Sequence, residues 1–207
     1  MVSNTIKPYT MLTDFVTGND VPNIGAEENR QAIERFLVER KGYLKEDIQI
    51  DVDIEMTVAG ESYRSQLDLV VSTDGGKTRF MAIRCAAGSL GSREREIVAA
   101  ARLLDDCLIP LAVVSDGKTA IVLDSASGKK TGDGLDAIPS KKEAIKKLES
   151  LEIQPFPLHR REKEKLIFRT YDRDNVNVQR NIYRQQTNLS PCGIEGSCIA
   201  YKECLLY

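Results

Sequence analysis

The chain holds a single histidine, His159, and no apolar run near the roughly 20 residues that a membrane helix needs. With one histidine and no nucleophile elbow, the Ser-His and Cys-His hydrolase classes have no support. No glycine-rich phosphate loop ending in Gly-Lys-Ser/Thr is present. Asp116-Gly117-Lys118-Thr119 lacks the upstream glycine, so no ATP-driven motor is expected. Neither sign of charge dominates: 29 Lys+Arg face 31 Asp+Glu, for a net charge of −2. That balance excludes a globally basic nucleic-acid binder and confines any DNA contact to a local patch. Met1–Thr10 lacks the basic-then-apolar order of a signal peptide, so the expected location is the cytoplasm, with no membrane partner. Five cysteines, an odd number, then read as reduced thiols or metal ligands ahead of a disulfide framework. What remains is an ordinary globular composition, 42% hydrophobic and 29% charged over 207 residues. This suits one domain with a sizeable core and some additional chain.

Residues 1–24 carry Pro8, Gly18 and Pro22 without periodicity and read as an irregular lead-in. Glu27 and Glu28 then sit where a first helical turn favours negative charge, and Ile33, Phe36 and Leu37 follow at helical spacing until Gly42. The spacing predicts a helix over about 26–40. Ile48, Ile50, Val52, Ile54, Met56 and Val58 alternate with polar residues, the period of a half-exposed strand whose other face is acidic. After the turn at Ala59-Gly60, Tyr63–Ser72 is apolar enough to be buried on both faces, interrupted by Asp68. Asp74-Gly75-Gly76 signals a hairpin into a third strand at Arg79–Ala87. Ser92 begins a helix with Ile97, Ala101, Leu104 and Leu108 on one face, and strands follow at Ile109–Ser115 and Thr119–Asp124. A loop leads to Pro139, and Ser140 with Glu143 forms a capping box before a helix over about 141–149.

Beyond Pro155-Phe156-Pro157, residues 159–184 hold eight basic against four acidic residues, with Phe168, Tyr171 and Tyr183 interleaved. Two readings stand: a solvated helical face, or an arm whose Arg160, Arg161, Arg169 and Arg173 contact nucleic-acid phosphates. Cys192, Cys198 and Cys204 follow at regular intervals but without a close pair. An iron–sulfur cluster or zinc, with Cys85, Cys107 or His159 as fourth ligand, is therefore disfavoured against free thiols.

Gly25-Ala26-Glu27-Glu28-Asn29-Arg30-Gln31 with Gly42-Tyr43, Arg64 to Asp68 with Leu69-Val70-Val71, and Asp116-Gly117 after an apolar strand form one pattern. Over about residues 14–125 it resembles the N-terminal nuclease domain of type I restriction enzyme R subunits, a branch of the restriction-endonuclease-like, PD-(D/E)XK, superfamily. The resemblance implies an α/β fold with a mixed central sheet flanked by helices, read here over 25–150, while the composition shift after Pro157 sets 151–207 apart as a C-terminal helical appendage. It implies a DNA partner and Mg²⁺-dependent phosphodiester hydrolysis, with carboxylates holding the metal and a lysine assisting the attacking water.

Carried over, Glu28 (or Glu27) takes the place of the helix acid and Asp68 that of the strand acid, as metal ligands. The acid-x-Lys triplet falls on Ile83-Arg84-Cys85, and the Gln and Tyr of the next helix on Glu96 and Ala100. Cleavage is therefore expected to be weakened or lost in a stand-alone DNA-associated protein. Alternation points Arg84 away from Ile83 and Cys85, where it can bind phosphate but cannot serve as a base. Two alternatives stay open. In one, Glu94 or Glu96 replaces the missing acid and Mg²⁺ is retained, and in the other the fold is a non-catalytic module for a protein partner.

Overall fold

The structure, a computed structural model, describes residues 9–151 and 155–173. Cys192, Cys198, Cys204 and the basic residues Arg180 and Arg184 lie outside the described residues.

A hairpin of β1 (Met11–Thr13) and β2 (Asp20–Pro22) leads into α1 (Glu27–Glu39). Gly42, at φ +75°, then takes the left-handed conformation that ends a helix, and the Tyr43 N–H reaches back to the Leu37 carbonyl at 3.1 Å. The sheet is laid down next, as β3 (Ile48–Val58), β4 (Glu61–Ser72) and β5 (Arg79–Cys85), an antiparallel meander. Its first turn is the two residues Ala59 and Gly60, both with positive φ as a tight hairpin requires. In its second, Asp74 accepts the Thr78 N–H at 2.6 Å and the Thr78 hydroxyl at 2.8 Å. Helix α2 (Glu94–Leu103) crosses over to β6 (Leu111–Ser115), the one strand pairing in parallel, with β5. Strands β7 (Ala120–Asp124) and β8 (Lys130–Asp133) complete the sheet in the order β3-β4-β5-β6-β7-β8. Helices α3 (Lys141–Ser150) and α4 (Leu158–Arg173) follow, α3 opened by the Ser140–Glu143 capping box.

Alternation along the strands divides the apolar residues into two cores. On one face Leu69, Val71, Met81, Ile83, Cys85 and Val113 pack with Ile33 and Leu37 of α1 and Ala144 of α3. On the other, Val70, Ala82, Ala112 and Val114 pack with Ile97, Val98 and Ala101 of α2 and Phe168 of α4.

Three features differ from the sequence reading. The lead-in contains the β1–β2 hairpin, whose connecting Asp14 is buried against α1. The stretch before Pro139 contains β8, too short and too exposed to carry a periodic signal. Helix α4 packs into the core through Phe168, which has no exposed surface. Among the described residues no helix is long and apolar enough to cross a membrane.

Candidate functional site

Of the buried arginines Arg30, Arg84 and Arg102, the first two are each surrounded by several carboxylates. The β4–β5 ladder ends at Leu69 opposite Ile83, so Asp68 and Arg84 face one another where the strands part. Arg84 is 1% exposed. Its Nη2 lies 2.7 Å from Glu96 Oε1 on α2 and 3.8 Å from Asp172 Oδ1 on α4, and its Nη1 lies 3.4 Å from Asp68 Oδ2. Nη1 also donates to the Gln66 carbonyl at 2.9 Å. Burial opposes the charge on Arg84, but Glu96, Asp68 and Asp172 together outweigh it and raise the guanidinium above its ordinary value.

Each acid is also held from a second side. The Cys85 N–H donates to Asp68 Oδ2 at 2.8 Å. Arg93 Nη1 donates to Glu96 Oε2 at 3.2 Å, and the Tyr63 hydroxyl donates to Asp172 Oδ2. Arg93 also reaches the Tyr171 carbonyl at 3.3 Å, which fastens the end of α4 to the start of α2.

The second cluster stands on α1. Arg30 pairs with Asp14 at 2.7 Å, with Glu34 at 2.8 Å and with Glu27, and all four side chains are fully buried. Gln31 joins Asp14 and Glu27 at 3.1 and 3.0 Å and accepts the Phe15 N–H at 2.8 Å. Burial pushes the Glu34 carboxyl up to about 7, with Asp14 and Glu27 adding to it and Arg30 only partly offsetting it. Asp14 moves the other way: the Thr17 N–H and Arg30 overcome its burial and lower it.

These contacts locate each residue singled out from the sequence. Asp68 and Glu96 are brought together, but around a guanidinium. Glu28 is exposed and bonded by the Asn23 side chain at 2.8 Å, while its neighbour Glu27 is the buried acid. Glu94 is half-buried at the first residue of α2. Arg84 was expected at a phosphate; it is enclosed by carboxylates and cannot reach one. Arg161 donates to the Leu103 and Asp105 carbonyls at 2.9 and 3.0 Å, closing the C-terminal end of α2. Arg169 donates to Glu61 at 2.6 Å and lies over the Tyr63 ring. Arg160 is exposed beside the Phe156 ring, and of Arg173 only its place at the end of α4 is described.

Asp14, Tyr63, Arg93 and Asp172 were not singled out from the sequence. Asp172 arrives from 88 residues beyond Arg84, and no local pattern announces that meeting. The Glu27, Arg30, Glu34 spacing does mark one helical face shared with Ile33 and Leu37, a legible sign of buried charge.

The magnesium ion that the sequence resemblance implies does not fit these residues. Ile83 and Cys85, on which the resemblance would set the strand acid and the lysine, are buried in the α1-side core at 0% and 3% exposure. The oxygens of Asp68 and Glu96 face Arg84, Arg93 and the Cys85 N–H. Among the described residues no group of three His, Cys, Asp or Glu side chains is arranged to hold a metal ion.

The architecture is mixed α/β: a six-stranded mixed sheet between two helical layers, with an acid at the fork of β4 and β5. Residues 25–139 match the family described as type I restriction enzyme R protein N terminus, and the chain belongs to that family. Among solved structures it is similar to a fragment described as an HsdR subunit of a type I restriction enzyme from Vibrio vulnificus YJ016. The identity is 14% and the TM-score 0.48, over 61% of this chain and 26% of that one, so the chain spans about a quarter of that protein. No curated protein matches it.

Two of the quoted sequence signatures meet in space. The Asn29 side chain of α1 donates to the Ala86 carbonyl at the end of β5 at 2.7 Å. Gly117, after β6, lies so close to α1 that a Cβ there would be 3.1 Å from Ala32 Cβ and 3.2 Å from Asn29 Cα.

Proposed function

We propose that this chain is a DNA-associated module of nuclease fold in which phosphodiester cleavage has been weakened or lost. The observation that carries the reading is the state of the acid-x-Lys positions: Ile83 and Cys85 belong to the apolar core, and Arg84 between them engages Asp68 and Glu96. Hydrolysis of this kind needs carboxylates free to hold a metal ion against the scissile phosphate, and a base or orienting lysine beside it. Here a fixed positive charge faces the acids and a thiol in an apolar setting stands at the lysine position.

Family membership supports a DNA partner, and with a net charge of −2 the contact must be local. Among the α4 arginines whose side chains are described, Arg160 is the exposed candidate, since Arg161 and Arg169 are engaged within the molecule.

The test is incubation of single- and double-stranded DNA with Mg²⁺ or Mn²⁺, for the intact protein and Asp68→Ala, alongside binding across a salt series. The expected result is no cleavage by either protein, with binding that weakens steeply as salt rises. Cleavage that disappears in Asp68→Ala would establish the active-endonuclease reading instead, with Glu96 as the displaced acid. Absence of DNA binding at low salt would turn the search to protein partners.

A further inference from the structure

We propose that the guanidinium of Arg84 is the resident cation of the Asp68, Glu96 and Asp172 cage, standing there in place of a divalent metal ion, and that removing it turns the cage into a divalent-cation site. The inference deepens the reading above, on which it rests for the view that this place no longer serves catalysis.

Three observations carry it. The first is charge: three carboxylates converge on one buried cation at 2.7, 3.4 and 3.8 Å, an arrangement that is tenable only while a positive charge occupies its centre. A dication brought beside Arg84 meets that charge, so the native cage has no place for one.

The second is independent anchoring. Asp68 is held by the Cys85 N–H, Glu96 by Arg93, and Asp172 by the Tyr63 hydroxyl. None of these contacts passes through Arg84. These anchors remain when the guanidinium is lost, and the oxygens they hold are the hard, anionic ligands that Mg²⁺ and Mn²⁺ take.

The third is access. Asp172 and Arg93 retain 11% and 18% side-chain exposure, so the cage lies just beneath the surface at the junction of α4 and α2. As they stand around Arg84, the three acids are not arranged to hold a metal ion. Truncating Arg84 leaves room for Glu96 and Asp172, both near helix ends, to draw in, with water completing the coordination as Mg²⁺ sites commonly require.

The experiment compares wild type, Arg84→Ala and Arg84→Ala/Asp68→Asn by thermal unfolding, with chelator and with millimolar Mn²⁺, and by direct Mn²⁺ titration. Wild type is expected to melt at the same temperature with and without Mn²⁺ and to bind none at this place. Arg84→Ala is expected to melt lower than wild type and to regain about 3–10 °C with Mn²⁺ in ten- to hundredfold excess over its dissociation constant. The regained stability should vanish in Arg84→Ala/Asp68→Asn.

If Arg84→Ala does not fold in chelator, the same comparison is made by refolding it in Mn²⁺. A recovered cooperative transition supports the proposal, and no recovery overturns it. Equal response of wild type and Arg84→Ala, or a rescue that survives Asp68→Asn, also overturns it. Mn²⁺ binding by wild type that is absent from Arg84→Ala/Asp68→Asn overturns it and would defeat the proposed loss of cleavage as well. An inert wild type with an inert Arg84→Ala defeats this inference alone.

Discussion

Single residues decide how charge is tolerated inside this protein. Arg30 and Arg84 each face three carboxylates, yet the two clusters differ in one respect. The Arg30 cluster holds a carboxyl, Glu34, raised to about 7 by burial and by its acidic neighbours. In the unfolded chain the same group returns to about 4.5. Between these two values the folded protein keeps a proton that the unfolded chain has released. Stability must therefore fall as pH rises from about 4.5 to 7 and level off above that. The drop from this group is on the order of 3 kcal/mol. Asp14, whose folded value is lowered, acts oppositely and only at acid pH, losing its contribution as pH falls below the ordinary aspartate range. Urea unfolding on both sides of the upper window should show the Glu34 slope in wild type. Glu34→Gln should flatten it, and an unchanged slope would assign the proton elsewhere.

At the scale of elements, α1 is the piece that ties the family signatures together. Its Asn29 and Ala32 face Gly117, which sits at φ +83° and leaves 3.1–3.3 Å for an added Cβ. Gly117→Ala should therefore suffer backbone strain and a steric clash with α1 together, for a loss of about 1–3 kcal/mol. Gly42 provides the comparison: it has φ +75° but open space around it. Gly42→Ala should show only the strain, so the urea midpoint of Gly117→Ala is expected to lie below that of Gly42→Ala. Equal midpoints would mean that α1 moves aside at little cost. The apolar periodicities of α1 and β3 made these elements readable, because each presents one face to a core. The β1–β2 hairpin and β8 were not readable, since each is three or four residues long and their order comes from what they pack against.

For the whole molecule, α4 is the element whose role changes most between sequence and structure. Its basic composition suits a solvated arm, but Phe168 is fully buried against α2, and Glu164 meets Arg102 at 2.7 Å beneath the surface. Asp172 of the same helix closes the Arg84 cage. A chain ending at residue 157 loses all three at once and exposes the apolar side of α2. Such a truncation is expected to lose the cooperative unfolding transition, measured by circular dichroism against urea. A sharp transition at the wild-type midpoint would return α4 to the status of an appendage.

The sequence by itself determined the order of the main helices and strands, through hydrophobic period and turn residues, and the family, through short signatures spread over about residues 14–125. It also placed Ile83-Arg84-Cys85 where the resemblance implies an acid-x-Lys triplet, because a triplet on one strand is a local fact. Only the tertiary structure decided what Arg84 does. Its partners come from β4, α2 and α4, at separations that no local spacing records, and the direction of a guanidinium follows from which carboxylates share its desolvated space. The same reason governs the α4 arginines: composition supplies the charge, and packing determines whether it meets solvent, a carbonyl or an acid.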